Sequence, residues 1–285
     1  MALPTIAIIS DYGYKDGFPG ILKGVIYQKI QSKDLLGAPT SSPHVIDITH
    51  EIGPQDIQEA AWVLMNSHKN FPKNTIFLGI VDPKIGEAHH KPIVAYCPKH
   101  SYYFVVPNNG FLTPIIEKEG STLQIYEANN EDLFFKNNGK LHHTFYGRDV
   151  YAAIGAYIAN SLTCMKPAQF LNDLGSAPEK LNLLDWPKPT KDPKIIDGSI
   201  LYIDQFGNLI TNIPNDWVKP DDSIEIQLIN KKWQSQKLQS YTNTLGKERV
   251  YLVPSSSGTL ELTVYKNNAQ KETGASVGDS VVLHL

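Results

Sequence analysis

The chain has 285 residues, of which 41% are hydrophobic and 19% charged, and a formal net charge of −3. That length suggests about two domains, and the composition supports a packed core rather than disorder. Lys and Arg are scattered, so nothing marks a nucleic-acid footprint, and no apolar run reaches the roughly 18 residues of a membrane span.

The first apolar run, Thr5–Ser10, follows an N-terminus without a positively charged stretch. It reads as a buried parallel strand rather than a signal peptide. Asp11-Tyr12-Gly13 ends it, and a helix is predicted from Phe18 to Ile30. Val45–Ile48 is a second strand. Asp56–Ser67 carries apolar residues at helical spacing, and Thr75–Val81 is a third strand ending at Asp82-Pro83. This alternation predicts an α/β domain with a parallel sheet and helices on both faces. Strands Pro92–Cys97 and Tyr102–Val106 follow, then the turn signal Pro107-Asn108-Asn109-Gly110 and an Ala-rich helix over Arg148–Ala159.

Pro187, Pro189 and Pro193 fall among Lys and Asp, as in a linker. The reading is therefore an N-terminal α/β domain over 1–185, a linker over 186–196 and a second domain over 197–285. Short apolar runs at Ser199–Ile203, Ser223–Ile229, Arg249–Val253, Thr259–Tyr265 and Ser280–Leu285 predict a small β-barrel there. Cys97 and Cys164 read as reduced thiols, which suits the cytoplasm, and no metal site is expected.

Ligands of open α/β sheets bind beyond the carboxyl ends of the strands. Asp11, Asp82 and Asn108-Asn109 fall there. Each alone reads as a cap or turn former; together they suggest a pocket. No phosphate-binding loop is present, so an early Asp suits a nucleoside whose ribose hydroxyls a carboxylate accepts. His89-His90 and His142-His143 are adjacent pairs that would point to opposite faces of a strand and share no metal easily. Ser255-Ser256-Ser257-Gly258 lacks the surroundings of a nucleophilic serine and reads as a turn.

In order along both domains, seven segments resemble one family, the S-adenosylmethionine (SAM) hydroxide adenosyltransferases with the SAM-dependent fluorinases and chlorinases. They are Ser10-Asp11-Tyr12-Gly13 with Asp16 and Lys23-Gly24, Asp47 to Ile52, Val81 to Gly86, Pro107 to Leu112, Thr144 to Asp149, Ile203 to Asn208 with Thr211-Asn212, and Ser255 to Gly258 with Asn268-Ala269. The resemblance implies an α/β domain plus a β-barrel, and a homotrimer with SAM held between subunits. It implies substitution at the ribose C5′ of SAM, releasing methionine. SAM is the substrate, no cofactor is needed, and adenosine is a product of the hydroxide version. Asp11 is expected on the ribose, Asp204, Asn208 and Ser256 on the methionine end, and Asn268-Ala269 on the adenine. Asn108 and Gly147 are expected to contribute to binding.

The hydroxide members use an Asp, an Arg and a His to polarise water. Here Asp82 stands at the Asp position, His89 at the Arg position and Tyr146 at the His position. Tyr146-Gly147 resembles the chlorinase version, whereas Asp82 would repel a halide. Hydrolysis of SAM, with Asp82, His89 and Tyr146 as the catalytic set, is the leading expectation. A chloride transferase ranks below it, and a catalytically weak SAM- or adenosine-binding protein is the third reading.

Overall fold

A computed structural model describes residues 3–31, 42–84, 91–220, 223–241 and 249–285. The chain divides into two compact units, Met1–Leu184 and Asp185–Leu285. Strand β1 (Thr5–Ser10) is buried along its whole length, because both faces of its sheet are covered. Ile6 and Ile8 pack into one core with Leu22, Ile26, Ile154 and Ile158. Ala7 and Ile9 pack into the opposite core with Ala60, Leu64 and Ile115. Each fully buried Ile or Leu contributes about 1.5–3 kcal/mol.

The helices of the first core are α1 (Phe18–Gln31) and α4 (Ala152–Cys164), and those of the second are α2 (Ile57–Ser67) and α3 (Thr113–Glu119). Asp56 caps α2, its carboxylate accepting from the Glu59 N–H. A short α5 (Pro167–Phe170) follows α4. The sheet adds β2 (His44–Thr49), β3 (Thr75–Ile80), β4 (Pro92–Cys97), β5 (Tyr102–Pro107) and β6 (Gln124–Glu127), in the order β2-β1-β3-β5-β4-β6. β2, β1, β3 and β5 run parallel, whereas at one edge β4 pairs antiparallel with β5 and β6 pairs antiparallel with β4. The expected parallel sheet is thus mixed at one side. The cause is the short turn at residues 98–101, which permits only an antiparallel return from β4 to β5.

Among its described residues the second unit is all-β apart from short helical turns. Its sheet runs β11-β10-β14-β8-β9-β13-β12, with β7 (Thr190–Lys191) paired to β8. The strands are β8 (Ile195–Ile203), β9 (Leu209–Pro214), β10 (Ser223–Leu228), β11 (Lys231–Gln236), β12 (Val250–Pro254), β13 (Thr259–Val264) and β14 (Ser280–His284). The two ends of this path nearly close into a barrel. The Leu238 N–H donates to the Leu252 carbonyl at 2.8 Å, and the Ser235 hydroxyl to the Val250 carbonyl at 2.6 Å. Strand β7 and the start of β8 lie inside the proline-rich stretch read as linker. Strand β11 was not legible because its sequence is polar, as suits a strand at the end of a path. Among the described residues no helix is long and apolar enough to cross a membrane.

Candidate active site

The parallel strands β1 and β3 end side by side, with Ser10 opposite Ile80. The chain leaves them at Asp11 and Asp82, which therefore face one cleft of about 580 Å³ together with Tyr12, Phe18, Gln55 and Phe145. Asp11 Oδ2 accepts from the backbone N–H of Gln55 at 2.9 Å. Gln55 has φ of 65°, a left-handed conformation that costs a non-glycine residue about 1–2 kcal/mol.

Below Asp11, Ser10 Oγ lies 2.6 Å from His50 Nδ1, both fully buried. His50 Nε2 lies 3.1 Å from Asp47 Oδ1, and Lys23 Nζ lies 2.5 Å from Asp47 Oδ2. Burial pushes the Asp47 carboxyl up, but hydrogen bonds from Lys23 and His50 outweigh it and hold the group below its ordinary range. These contacts tie the ends of β1 and β2 to α1. The Ser-His-Asp order is not a nucleophile's arrangement, since Ser10 is closed to solvent.

Asp82 Oδ2 accepts from the Tyr151 hydroxyl at 3.2 Å. Tyr151 is wholly buried, and burial together with the Asp82 charge pushes its phenol far up, so it remains a donor. Residues Gly147–Tyr151 form one π-helical turn before α4. Such turns widen the helix locally and recur at functional sites. Tyr12 packs edge-on with Phe145 (6.1 Å) and tilted against Phe18 (5.5 Å). Its hydroxyl approaches Gly147 so closely that a Cβ there would stand 2.3 Å from it. Gly147 thus makes room for the aromatic wall. Burial, then the charges of Asp11 and Asp82, raise the Tyr12 phenol as well.

Tyr146 is half-buried, and its hydroxyl lies 3.1 Å from His143 Nδ1. Burial and the Asp82 charge raise its pKa. Arg148 makes a bidentate pair with buried Asp149, at 2.5 and 3.0 Å. Asn108 directs its side chain to the segment at 180–182. Its amide donates to the Lys180 carbonyl at 2.8 Å, and its carbonyl accepts from the Asn182 N–H at 2.9 Å. Asn109 instead donates to the Val81 carbonyl at 2.9 Å, fixing the strand end that carries Asp82. His89 lies outside the described residues.

In the second unit, Asp204, Asn208 and Asn268 line a cavity of about 710 Å³ with Phe206 and Tyr241. Asp204 organises the turn: its carboxylate accepts from the N–H groups of Phe206 and Asn208 and from the Asn208 amide, at 2.8–2.9 Å. Asn268 Oδ1 caps the short α6 (Ala269–Thr273) by accepting from the Lys271 N–H. Ala269 is fully buried, and Ser256 is exposed on the β12–β13 turn. Glu261 is buried against the Tyr241 hydroxyl, and burial raises its carboxyl. Sequence reading gave no role to Tyr151, Gln55, Phe145, Tyr241 or Glu261.

Residues 6–166 match the SAM hydroxide adenosyltransferase N-terminal domain, and residues 198–282 match the C-terminal domain. The chain belongs to the SAM hydroxide adenosyltransferase family. It is 30% identical over 276 residues to an (R)-S-adenosyl-L-methionine hydrolase of Methanocaldococcus jannaschii, covering 94% of this chain and 91% of that one. A fluorinase of an Actinoplanes species is 28% identical over 236 residues, covering 74% of this chain and 72% of its own. A conserved protein of Thermotoga maritima has the same fold, with a TM-score of 0.85 and 28% identity over 98% of this chain and all of that one. In this hydroxide adenosyltransferase Asp82 and Asp11 line the same cleft.

Proposed function

We propose that this adenosyltransferase hydrolyses SAM to adenosine and methionine, with Asp82 handling the water. The observation that carries the reading is the pairing of Asp11 and Asp82 in one cleft, with Asp82 held by the Tyr151 hydroxyl. Asp11 accepts the ribose hydroxyls, which fixes C5′. Water attacks C5′ as the C–S bond breaks. The sulfur keeps the bonding electrons and becomes a neutral thioether, so the leaving group needs no acid. Asp82 orients the water and receives its proton before solvent does. Tyr146 and His89 are assigned to the same water as hydrogen-bond partners. Asp204, Asn208 and Ser256 are assigned to the methionine end, and Asn268 with Ala269 to the adenine. Asn108 and Gly147 support binding indirectly, the first by bracing the segment at 180–182 and the second by admitting Tyr12. A homotrimer belongs to the same proposal.

A chloride reading meets the negative charge of Asp82, which opposes a halide in a confined site. Mass spectrometry of the products from SAM, with and without chloride, tests the assignment. Adenosine and methionine at a rate indifferent to chloride are expected. A chlorinated nucleoside would overturn it, and SAM binding without turnover would leave a binding protein. Asp82→Asn should lower kcat by about 100-fold or more while SAM still binds.

A further inference from the structure

The opposite end of the α/β sheet carries a second group of chemically active side chains. Cys97 ends β4 and pairs with Tyr102 at the start of β5, whereas Asp82 follows the other end of the neighbouring β3. Cys97 Sγ, a ring nitrogen of His100 and a carboxylate oxygen of Glu119 all lie within 4.8 Å of one another. Cys97 is 1% exposed, and the Glu119 side chain is 6% exposed. His100 is fixed by stacking on Tyr102, at 5.6 Å and 23° between planes, and its Nε2 lies 3.8 Å from Glu119 Oε1.

The chain turns tightly just after the sulfur, at residues 98–101. In Cys97-Pro98-Lys99-His100 burial pushes the Cys97 thiol up, and the backbone N–H groups of His100 and Lys99 oppose that rise without cancelling it. The Ser101 N–H closes the turn onto the Pro98 carbonyl at 3.3 Å. Cys97 and His100 stand three residues apart at one turn, and thiolate sulfur and imidazole nitrogen are both zinc donors. Considering the two cysteines alone overlooks His100, which is the signal in the sequence. Glu119 reaches the turn only through the packing of α3.

We infer that Cys97, His100 and Glu119 form a site for a single zinc-class divalent cation, with a fourth position open to water. The donor set of one thiolate, one imidazole and one carboxylate suits zinc and disfavours calcium or magnesium, which take oxygen ligands. Tetrahedral zinc holds its donors about 3.5 Å apart, so closing the cluster needs movements of about one ångström. Binding releases the thiol proton to solvent. The cation's two charges are then balanced by the thiolate and the carboxylate. Lys99 Nζ, now 3.6 Å from Glu119 Oε2, gives way to the metal.

Cobalt titration of the full-length, untagged, chelator-stripped protein tests this. The expected result is a near-ultraviolet thiolate-to-cobalt band that saturates at one equivalent and is displaced by zinc. Cys97→Ala should abolish the band and Cys164→Ala should retain it. His100→Ala and Glu119→Gln should each weaken binding at least about tenfold. SAM hydrolysis at the parent rate serves as the folding control, because the cluster lies at the other end of the sheet. Absence of the band, its survival in Cys97→Ala, or affinities of His100→Ala and Glu119→Gln within about twofold of the parent would overturn the inference.

Discussion

At the scale of single residues, the site depends on what holds each carboxylate. Asp82 is oriented by a phenol that burial keeps protonated, so Tyr151 donates to it across the ordinary working range of pH. Tyr151→Phe removes one hydrogen bond to a charged group, a loss of about 1.5–3 kcal/mol if it is felt fully in the transition state. We expect kcat to fall at least about tenfold with little change in KM. Steady-state kinetics with an unchanged kcat would show that Tyr151 is only a packing residue. Gly147 is explained by the Tyr12 hydroxyl above it, which leaves no space for a methyl group.

At the scale of elements, two contacts set the geometry of the cleft. Helix α4 lies so close to β3 that a Cβ at Gly155 would stand 2.8 Å from a Leu78 methyl. Gly155→Val should therefore push α4 from the sheet and cost about 1–3 kcal/mol, read as a Tm lowered by several degrees. The second contact is the linkage of β1, β2 and α1 through Ser10, His50, Asp47 and Lys23. The Asp47 carboxyl is held below its ordinary value. A depressed carboxylate contributes stability that is full above its unfolded pKa and disappears as pH falls through its folded pKa. The stability gap between the parent and Asp47→Asn should thus be open at neutral pH and should narrow below about pH 4. Urea unfolding at several pH values measures it, and a gap that widens in acid would contradict the assignment.

For the whole molecule, binding of product should appear as stability. Adenosine at 100 times its Kd would stabilise the protein by about 2.7 kcal/mol, and Asp11→Ala should abolish most of the Tm increase. Sedimentation equilibrium tests the trimer directly; a monomer at the enzyme's working concentration would remove it from the proposal. Much of this architecture was legible in order of sequence. Thr5–Ser10 is apolar at every position because its sheet is covered on both faces, and that pattern survives without knowledge of any neighbour. Ordered motifs from Ser10 to Ala269 carried the family. The short polar strand β11 and the antiparallel edge of the first sheet were not legible, since pairing direction depends on the turn and the partner rather than on composition. What the sequence alone determined is the periodicity, the two-part composition and the strand-end carboxylates, all local properties of the chain. Only the tertiary structure decided that Tyr151, 69 residues from Asp82, is its donor, and that Glu119 meets Cys97 and His100. Those contacts depend on packing across a sheet, and no local spacing encodes which distant side chains a sheet brings together.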